Sequence, residues 1–228
     1  MRSFTSIPAA LLAFTSSVSA LALPAILDRF TRDTRLTIAI PLNGLPSPSI
    51  ISPAVQLKYI ALGVGTQNYT CASTPNSASA APVSLGAKAV LYNAGPFLES
   101  RPNMIGRLAD KAYGDDRVPS RYDLGILGSH FFNAAGQPTF DLTAVGARLV
   151  VRKLNGVTAP PDSCRGKDDD DTGAVDWLQL VDNATGQSFG GLSYVYRVET
   201  AGGRAPVTCA KQRGTFEVHY ATEYWYYG

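Results

Sequence analysis

The sequence predicts an all-β fold, a sandwich or a barrel of short strands with one short helix. Short apolar runs recur along most of the chain, separated at near-regular spacing by Gly, Asn and Pro. In one such run Leu149 and Val151 alternate with Arg148 and Arg152, the pattern of a strand with one buried and one solvated face. Only one segment shows helical spacing, so alternating βαβ units are not indicated.

The predicted strands lie at residues 55–62, 87–92, 124–132, 139–142, 147–154, 174–181, 192–199, 215–220 and 223–227, with a further candidate at 36–40. We expect the first long strand to end where Gly63 and Gly65 follow it, because glycines favour turns. In the strand at 192–199, alternation places Tyr196 and Val198 on one face and Glu199 on the other.

The one predicted helix covers residues 103–113. Asn103 is a suitable N-cap. The apolar residues at helical spacing on one face are Met104, Ile105, Leu108 and Ala112. Gly106 lowers the helical propensity of the segment, and Gly114 is expected to end it.

The charge balance argues against nucleic acid and membrane surfaces as partners. The chain has 20 Lys and Arg against 18 Asp and Glu, a formal net charge of +2. Binding to phosphate backbones or anionic lipids needs a basic excess, which this chain lacks. Hydrophobic residues make up 45% and charged residues 17%, which indicates a globular chain rather than a disordered one.

Residues 1–22 have the pattern of a signal peptide. Arg2 gives a positive start, an apolar stretch follows, and Ala20 and Ala22 are alternative ends of a small-residue cleavage pattern. A membrane anchor is the other interpretation, but the apolar stretch is short and interrupted by Ser and Thr. We therefore expect a secreted, extracellular protein whose mature part, residues 23–228, is a single β domain without a membrane-spanning segment.

Glycosylation motifs and cysteines agree with secretion. Two motifs begin at Asn68 and Asn183, each followed by Thr two positions later. Cys71, Cys164 and Cys209 would meet an oxidising environment, in which two of them can pair in any of three ways and leave the third free. All three lie in loop-like sequence, which suits a disulfide better than a catalytic thiolate.

Two motifs that resemble ligand sites have simpler interpretations. The glycines of residues 63–68 follow a strand as in a dinucleotide-binding turn, but Asn68 replaces the third glycine and no helix follows. We interpret this segment as an ordinary turn and expect no cofactor. The acidic run from Asp168 to Asp171 partly fits a calcium loop, yet Gln179 stands where the final bidentate Glu belongs. A solvated acidic loop is the favoured alternative.

The two histidines predict no catalytic centre. His130 adjoins Ser129, but neighbours on a strand point to opposite faces and form no catalytic dyad. Two histidines with oxidised thiols do not supply the three or four ligands of a zinc site. We predict a hydrogen-bonded structural role for His130 and partial exposure of His219.

The C-terminal strand is rich in aromatic residues, among them Tyr224, Trp225 and Tyr226. Exposed aromatic faces stack on sugar rings, so one hypothesis is a glycan-binding platform. The alternative, which the sequence favours, is a terminal strand packed into the core. Trp177 is expected in the core as well.

Five segments of the chain share their order and spacing with a known family. They are GTQNYTC (65–71), GSHFF (128–132), AVDWLQL (174–180), YRVETAGG (196–203) and ATEYWYY (221–227). Together they resemble the secreted fungal and bacterial family catalogued as domain of unknown function 3455. The resemblance implies secretion, no established activity, and a disulfide between Cys71 and Cys209 with Cys164 as an extra cysteine. Some members carry the label malate dehydrogenase, which this sequence does not support because no βαβ unit is visible.

These observations predict an extracellular binding or surface protein, with cell-wall or host-surface glycans as the expected ligands. The first alternative is a secreted enzyme, either a hydrolase with an unrecognised site or the dehydrogenase of the family label. The second alternative is a structural component of the cell wall. Converging Asp, Glu or His side chains in a pocket would favour the enzyme, and a flat aromatic strip would favour the binder.

Overall fold

The described residues form a closed barrel of antiparallel strands. The computed structural model describes residues 36–40, 55–72, 78–167 and 172–228. The strands are β1 Leu57–Cys71, β2 Val83–Asn93, β3 Ile126–Phe132, β4 Pro138–Leu142, β5 Ala147–Val157, β6 Trp177–Asp182, β7 Tyr194–Gly202 and β8 Gly214–Tyr227. Each pairs with its neighbours in chain order, and β8 closes the barrel against β1. The all-β class is confirmed, in its barrel form.

Two sequence predictions fall outside the described residues. The signal peptide at residues 1–22 is one, and the acidic run from Asp168 to Asp171 is the other. Residues 36–40 are described and form no strand, contrary to expectation. They still contribute to the core, since Leu36 and Ile40 are buried.

Strand β1 is longer than predicted because its glycines lie inside it. The strand continues through Gly63 and Gly65 to Cys71, so the interpretation of residues 63–68 as a turn is wrong. A Cβ on Gly63 would lie 2.6 Å from the Tyr224 ring, and one on Gly65 would overlap the carbonyl oxygen of Lys88. Here the glycines mark close approach across the barrel wall.

Apolar side chains form two layers, one inside the barrel and one between its outer wall and the helices. The inner layer includes Phe140, Leu149, Tyr220, Tyr224 and Tyr226. The outer layer includes Ile60, Leu62, Tyr196 and Trp225, packed with Phe97, Leu98 and Leu108. Both faces of β8 are covered from Tyr220 to Tyr227, and the two strands predicted at 215–220 and 223–227 form one continuous strand.

The segment between β2 and β3 forms the helical cover. It contains α1 Gly95–Ser100, a 3-10 turn at Pro102–Met104, α2 Leu108–Gly114 and α3 Val118–Arg121. The prediction of one helix over 103–113 is wrong, because Gly106 adopts a φ of +76° that interrupts a right-handed helix. Asn103 makes no side-chain cap, whereas Gly114 does end α2 as expected. No helix in the described ranges is long and apolar enough to cross a membrane.

Candidate functional site

A β-bulge in β7 directs Glu199 toward the helical cover. The register with β8 shifts between Val198 and Ala201, so that Glu199 and Thr200 together oppose one residue of β8. Glu199 has a φ of +49°, a left-handed conformation that is strained for a non-glycine residue. Its carboxyl group lies against Gly106, where a Cβ would be 2.7 Å from Oε2. The bulge thus overrides the alternation that predicted opposite faces for Val198 and Glu199.

Glu223 is buried beneath the same cover, with 0% of its surface exposed. Its Oε1 accepts the backbone N–H of Gly106 at 3.2 Å. Its Oε2 accepts the indole N–H of Trp225, also at 3.2 Å. A buried carboxyl group requires such donors or a proton, because an isolated charge in this position is strongly destabilising. Glu223 therefore connects the barrel wall to the segment that precedes α2.

Burial raises the pKa of both glutamates. The pKa of Glu223 rises to about 8, through burial first and the neighbouring charge of Glu199 second, and its two hydrogen bonds oppose this only in part. The pKa of Glu199 rises to about 7, through burial and then the charges of Asp110 and Asp162. Burial and Asp162 also raise the pKa of Asp110. At neutral pH Glu223 keeps its proton and Glu199 is near its midpoint.

We call Glu199, Glu223, Asp110 and Asp162 the carboxylate cluster. Asp110 lies in the first turn of α2, Asp162 lies between β5 and β6, and both are exposed. None of the ion pairs found among the described residues involves the cluster. These groups are able to hydrogen-bond hydroxyls and to exchange a proton near neutral pH. Within the same residues, no three His, Cys, Asp or Glu side chains are placed to hold a metal ion.

A cleft of about 570 Å³ opens at the C-terminal end of α2. Its lining consists of Val64, Ala112, Tyr113, Gly114, Asp115, Asp116, Arg117 and His219. We call it the α2 cleft. The ring centroids of Tyr113 and His219 are 6.1 Å apart, and His219 is exposed as predicted.

Two acidic residues lie at the edge of the cleft. Asp115 forms ion pairs with Arg117 and Arg121, and hydrogen bonds from Arg117 lower the pKa of Asp115 to about 2. Asp116 is exposed at the same edge.

The C-terminal aromatic residues offer no exposed face to sugar rings. Tyr224, Trp225 and Tyr226 are each 0% exposed. The reason is the double cover of β8, whose inner face lies in the barrel and whose outer face lies under the helices. The buried arrangement favoured from the sequence is the one observed, and Trp177 is buried as well.

His130 has the structural role predicted for it. It is buried inside the barrel, and its Nδ1 donates to the carbonyl oxygen of Thr139 at 3.0 Å. Its ring stacks on Phe140 with centroids 4.2 Å apart. Burial lowers the pKa of His130 to about 4, so the imidazole is neutral at pH 7.

The disulfide implied by the family resemblance is present. Cys71 and Cys209 are bonded, with Cα atoms 5.7 Å apart and a sequence separation of 138 residues. Cys164 carries a free thiol and is half-buried. Disulfides of this kind are typical of proteins that fold in an oxidising compartment.

The two glycosylation motifs lie in different surroundings. Asn68 is half-buried on the outward-facing row of β1, and its Oδ1 accepts the Thr66 hydroxyl at 3.1 Å. Asn183 starts the turn after β6, and its Oδ1 accepts both the N–H and the hydroxyl of Thr185. The Nδ2 of Asn183 is buried and has no hydrogen-bond partner within the described structure. Modification of either residue stays a prediction.

The carboxylate cluster was not predicted from the sequence. One signal was available, since Glu223 is the only carboxylate in the aromatic run from 221 to 227, and a charge in such a run is unusual in a core strand. Nothing in the sequence marks the bulge that turns Glu199 outward. Asp110 and Asp162 are brought near it only by the fold.

Most of the chain matches one family model, described as a protein of unknown function (DUF3455), over residues 51–228. The chain belongs to this DUF3455 family. The match takes in every strand of the barrel. No curated protein and no solved structure matches this DUF3455 chain. The dehydrogenase label of some members gains no support, because the barrel strands pair antiparallel and contain no βαβ unit.

Proposed function

We propose that this DUF3455 protein works outside the cell and binds a hydroxyl-rich ligand, such as a cell-wall or host-surface glycan, in the α2 cleft. The observation that carries the proposal is the lining of that cleft, which combines Tyr113, His219 and Asp116. An aromatic ring packs on the apolar face of a sugar, and imidazole and carboxylate groups hydrogen-bond its hydroxyls. The small net charge of +2 agrees with a ligand that is not strongly charged.

Two features support an extracellular location. The Cys71–Cys209 disulfide suits an oxidising compartment, and residues 1–22 have the composition of a signal peptide. N-terminal sequencing of protein collected from culture medium tests the location. We expect a mature chain that starts near Leu21 or Leu23. Protein that stays in the cells and still carries Met1 would contradict it.

Binding is tested by retention of the purified full-length protein on a panel of insoluble polysaccharides and immobilised glycans. We expect at least one glycan to retain it, and His219→Ala and Asp116→Asn to weaken that binding about tenfold, ~1.4 kcal/mol. Phe189→Ala is the matched control, since Phe189 is exposed but does not line the cleft. Equal retention of the cleft variants, or retention on no glycan, would overturn the proposal.

The carboxylate cluster favours a second function, acid–base hydrolysis of a glycosidic or ester bond. Two carboxyl groups with pKa values of about 7 and about 8 are suited to accept and donate protons near neutral pH. Of these two groups Glu199 is half-buried and Glu223 is fully buried, so Glu199 would face the substrate, with Glu223 behind it. In this case wild-type protein releases product from a panel of glycosides and esters, and Glu199→Gln does not. Absence of turnover over pH 5–9 would remove this candidate.

A further inference from the structure

We propose that Asn68, and not Asn183, carries an N-linked glycan, and that the glycan lies in a groove beside the loop between β7 and β8. The proposal rests on the extracellular part of the proposed function, because N-glycosylation requires passage through the secretory pathway. It adds a modification site and a carbohydrate-contacting surface that are separate from the α2 cleft.

Burial of the amide nitrogen distinguishes the two motifs. A glycan is attached through Nδ2, and the Nδ2 of Asn183 is a buried atom without a hydrogen-bond partner in the described structure. Asn68 is half-buried and lies on the outer row of β1, the face of the strand that points away from the barrel interior. A sugar on Asn68 would therefore leave from the outer surface of the barrel.

Hydrogen bonding sets the direction in which a glycan would leave Asn68. Its Oδ1 is held by the hydroxyl of Thr66, and Thr66 pairs with His219 at the edge of the α2 cleft. The amide nitrogen therefore points away from Thr66 and from the cleft. Directly opposite Asn68 on β8 is Glu217, within cross-strand contact distance.

Glu217 also forms part of a groove of about 600 Å³. Other residues that line it are Pro206, Val207, Lys211, Gln212 and Phe216. Val207 is 89% exposed, so its apolar surface is available for contact. Phe216 stacks on Tyr69 with centroids 5.7 Å apart. The lining thus combines apolar groups with Lys, Gln and Glu side chains, which suit the apolar faces and the hydroxyl groups of N-acetylglucosamine units.

The wall of the groove is fixed in place before any ligand arrives. Cys209 in the loop is bonded to Cys71, and its backbone N–H donates to the carbonyl oxygen of Ala80 at 2.8 Å. The guanidinium of Arg213 donates to the Cys209 carbonyl oxygen at 2.9 Å. A glycan that settles here loses little free energy to loop ordering and shields residues 206–212.

The test uses the full chain behind a foreign signal peptide in a glycosylating eukaryotic host, so that entry into the secretory pathway does not depend on residues 1–22. Glycopeptide mass spectrometry gives the occupancy of each motif. Amide hydrogen exchange is then compared between wild type, wild type after enzymatic glycan removal, Asn68→Gln and Thr70→Ala. Thr70→Ala removes the motif and keeps Asn68, and Asn183→Gln is the matched control.

We expect occupancy at Asn68 alone and severalfold faster exchange over residues 206–212 in every form that lacks the glycan, with Asn183→Gln unchanged. Occupancy at Asn183 with Asn68 empty would overturn the proposal, as would two empty motifs. So would a glycan at Asn68 that protects α2 or leaves residues 206–212 unaffected. None of these outcomes bears on secretion, which the N-terminal sequencing of the natural chain decides separately.

Discussion

The backbone N–H of Gly106 donates to the carboxyl group of Glu223 at 3.2 Å, and this bond joins the helical cover to a buried acid of the barrel wall. Glu199 contacts the same glycine from the bulge in β7. Two acids thus meet one backbone turn at a junction where ionisation is costly. The protonation states of Glu199 and Glu223 therefore make the stability of the helical cover depend on pH.

The free energy of unfolding should fall as the pH rises from about 4.5 to about 8. An unfolded chain ionises Glu223 near its ordinary pKa of 4.5, whereas the folded chain keeps the proton until about pH 8. Between these values the folded state binds more protons, so raising the pH favours unfolding, by on the order of a few kcal/mol in total. Urea titrations at a series of pH values measure the effect.

Glu223→Gln should flatten this pH dependence, because Gln has no proton to lose. It also replaces one of the two acceptor oxygens by a donor, so we expect a loss of roughly 1–3 kcal/mol at low pH. Glu217→Gln, an exposed substitution on the same strand, should leave the profile unchanged. A Glu223→Gln protein with the wild-type profile would show that Glu223 does not control it.

Glu199→Gly should be more stable than Glu199→Ala by about 1 kcal/mol. Both variants remove the carboxyl group, but only glycine adopts the φ of +49° without strain. A comparison of the melting temperatures of the two variants measures the cost of the backbone conformation alone, because both variants lack the carboxyl group. If the alanine variant proved equally stable or more stable, the left-handed conformation at this position would carry no cost.

Gly63→Ala should destabilise the barrel by roughly 1–3 kcal/mol through overpacking. The added methyl group would lie 2.6 Å from the ring of Tyr224, which is fully buried. Gly125→Ala is the matched control, because a Cβ there meets nothing within 4 Å. Chemical denaturation compares the two, and equal stability would contradict the close approach across β1.

Removal of the disulfide by the double change Cys71→Ala and Cys209→Ala should cost about 2–5 kcal/mol. The bond closes a segment of 138 residues in sequence and restricts the unfolded chain strongly. Cys164→Ala should leave stability nearly unchanged, since Cys164 is unbonded. A large loss in Cys164→Ala, or none in the double variant, would contradict the assigned pairing.

The sequence predicted those parts of the fold that depend on local periodicity. Leu149 and Val151 are buried and Arg152 is exposed, as alternation predicts, whereas Val150 on the opposite face is buried as well. The C-terminal end of β1 was predicted wrongly because of Gly63 and Gly65. In a sequence, a glycine needed for close packing within a strand cannot be distinguished from a glycine needed for a turn. Only the neighbouring strand distinguishes the two cases.

The candidate site was less accessible to sequence reasoning, because its geometry depends on contacts between distant segments. Glu199 contacts the helical cover because of a bulge in β7 that no local sequence pattern predicts. The α2 cleft depends on bringing Tyr113 to His219, residues that are far apart in the chain. The aromatic content of the sequence pointed to Trp225, which the cover buries. Tyr113, which lines the cleft, stands in a segment whose sequence pattern does not indicate a site.

Amide chemical-shift mapping by NMR, with an oligosaccharide of the retained glycan, tests the proposed binding function most directly. If the α2 cleft is the binding site, the largest shifts on titration will be those of residues 112–117 and His219, and Asp116→Asn will need about tenfold more ligand to reach the same saturation. Saturable shifts confined to another surface, such as the exposed residues Val83 and Leu85 of β2, would contradict the assignment of ligand binding to this cleft.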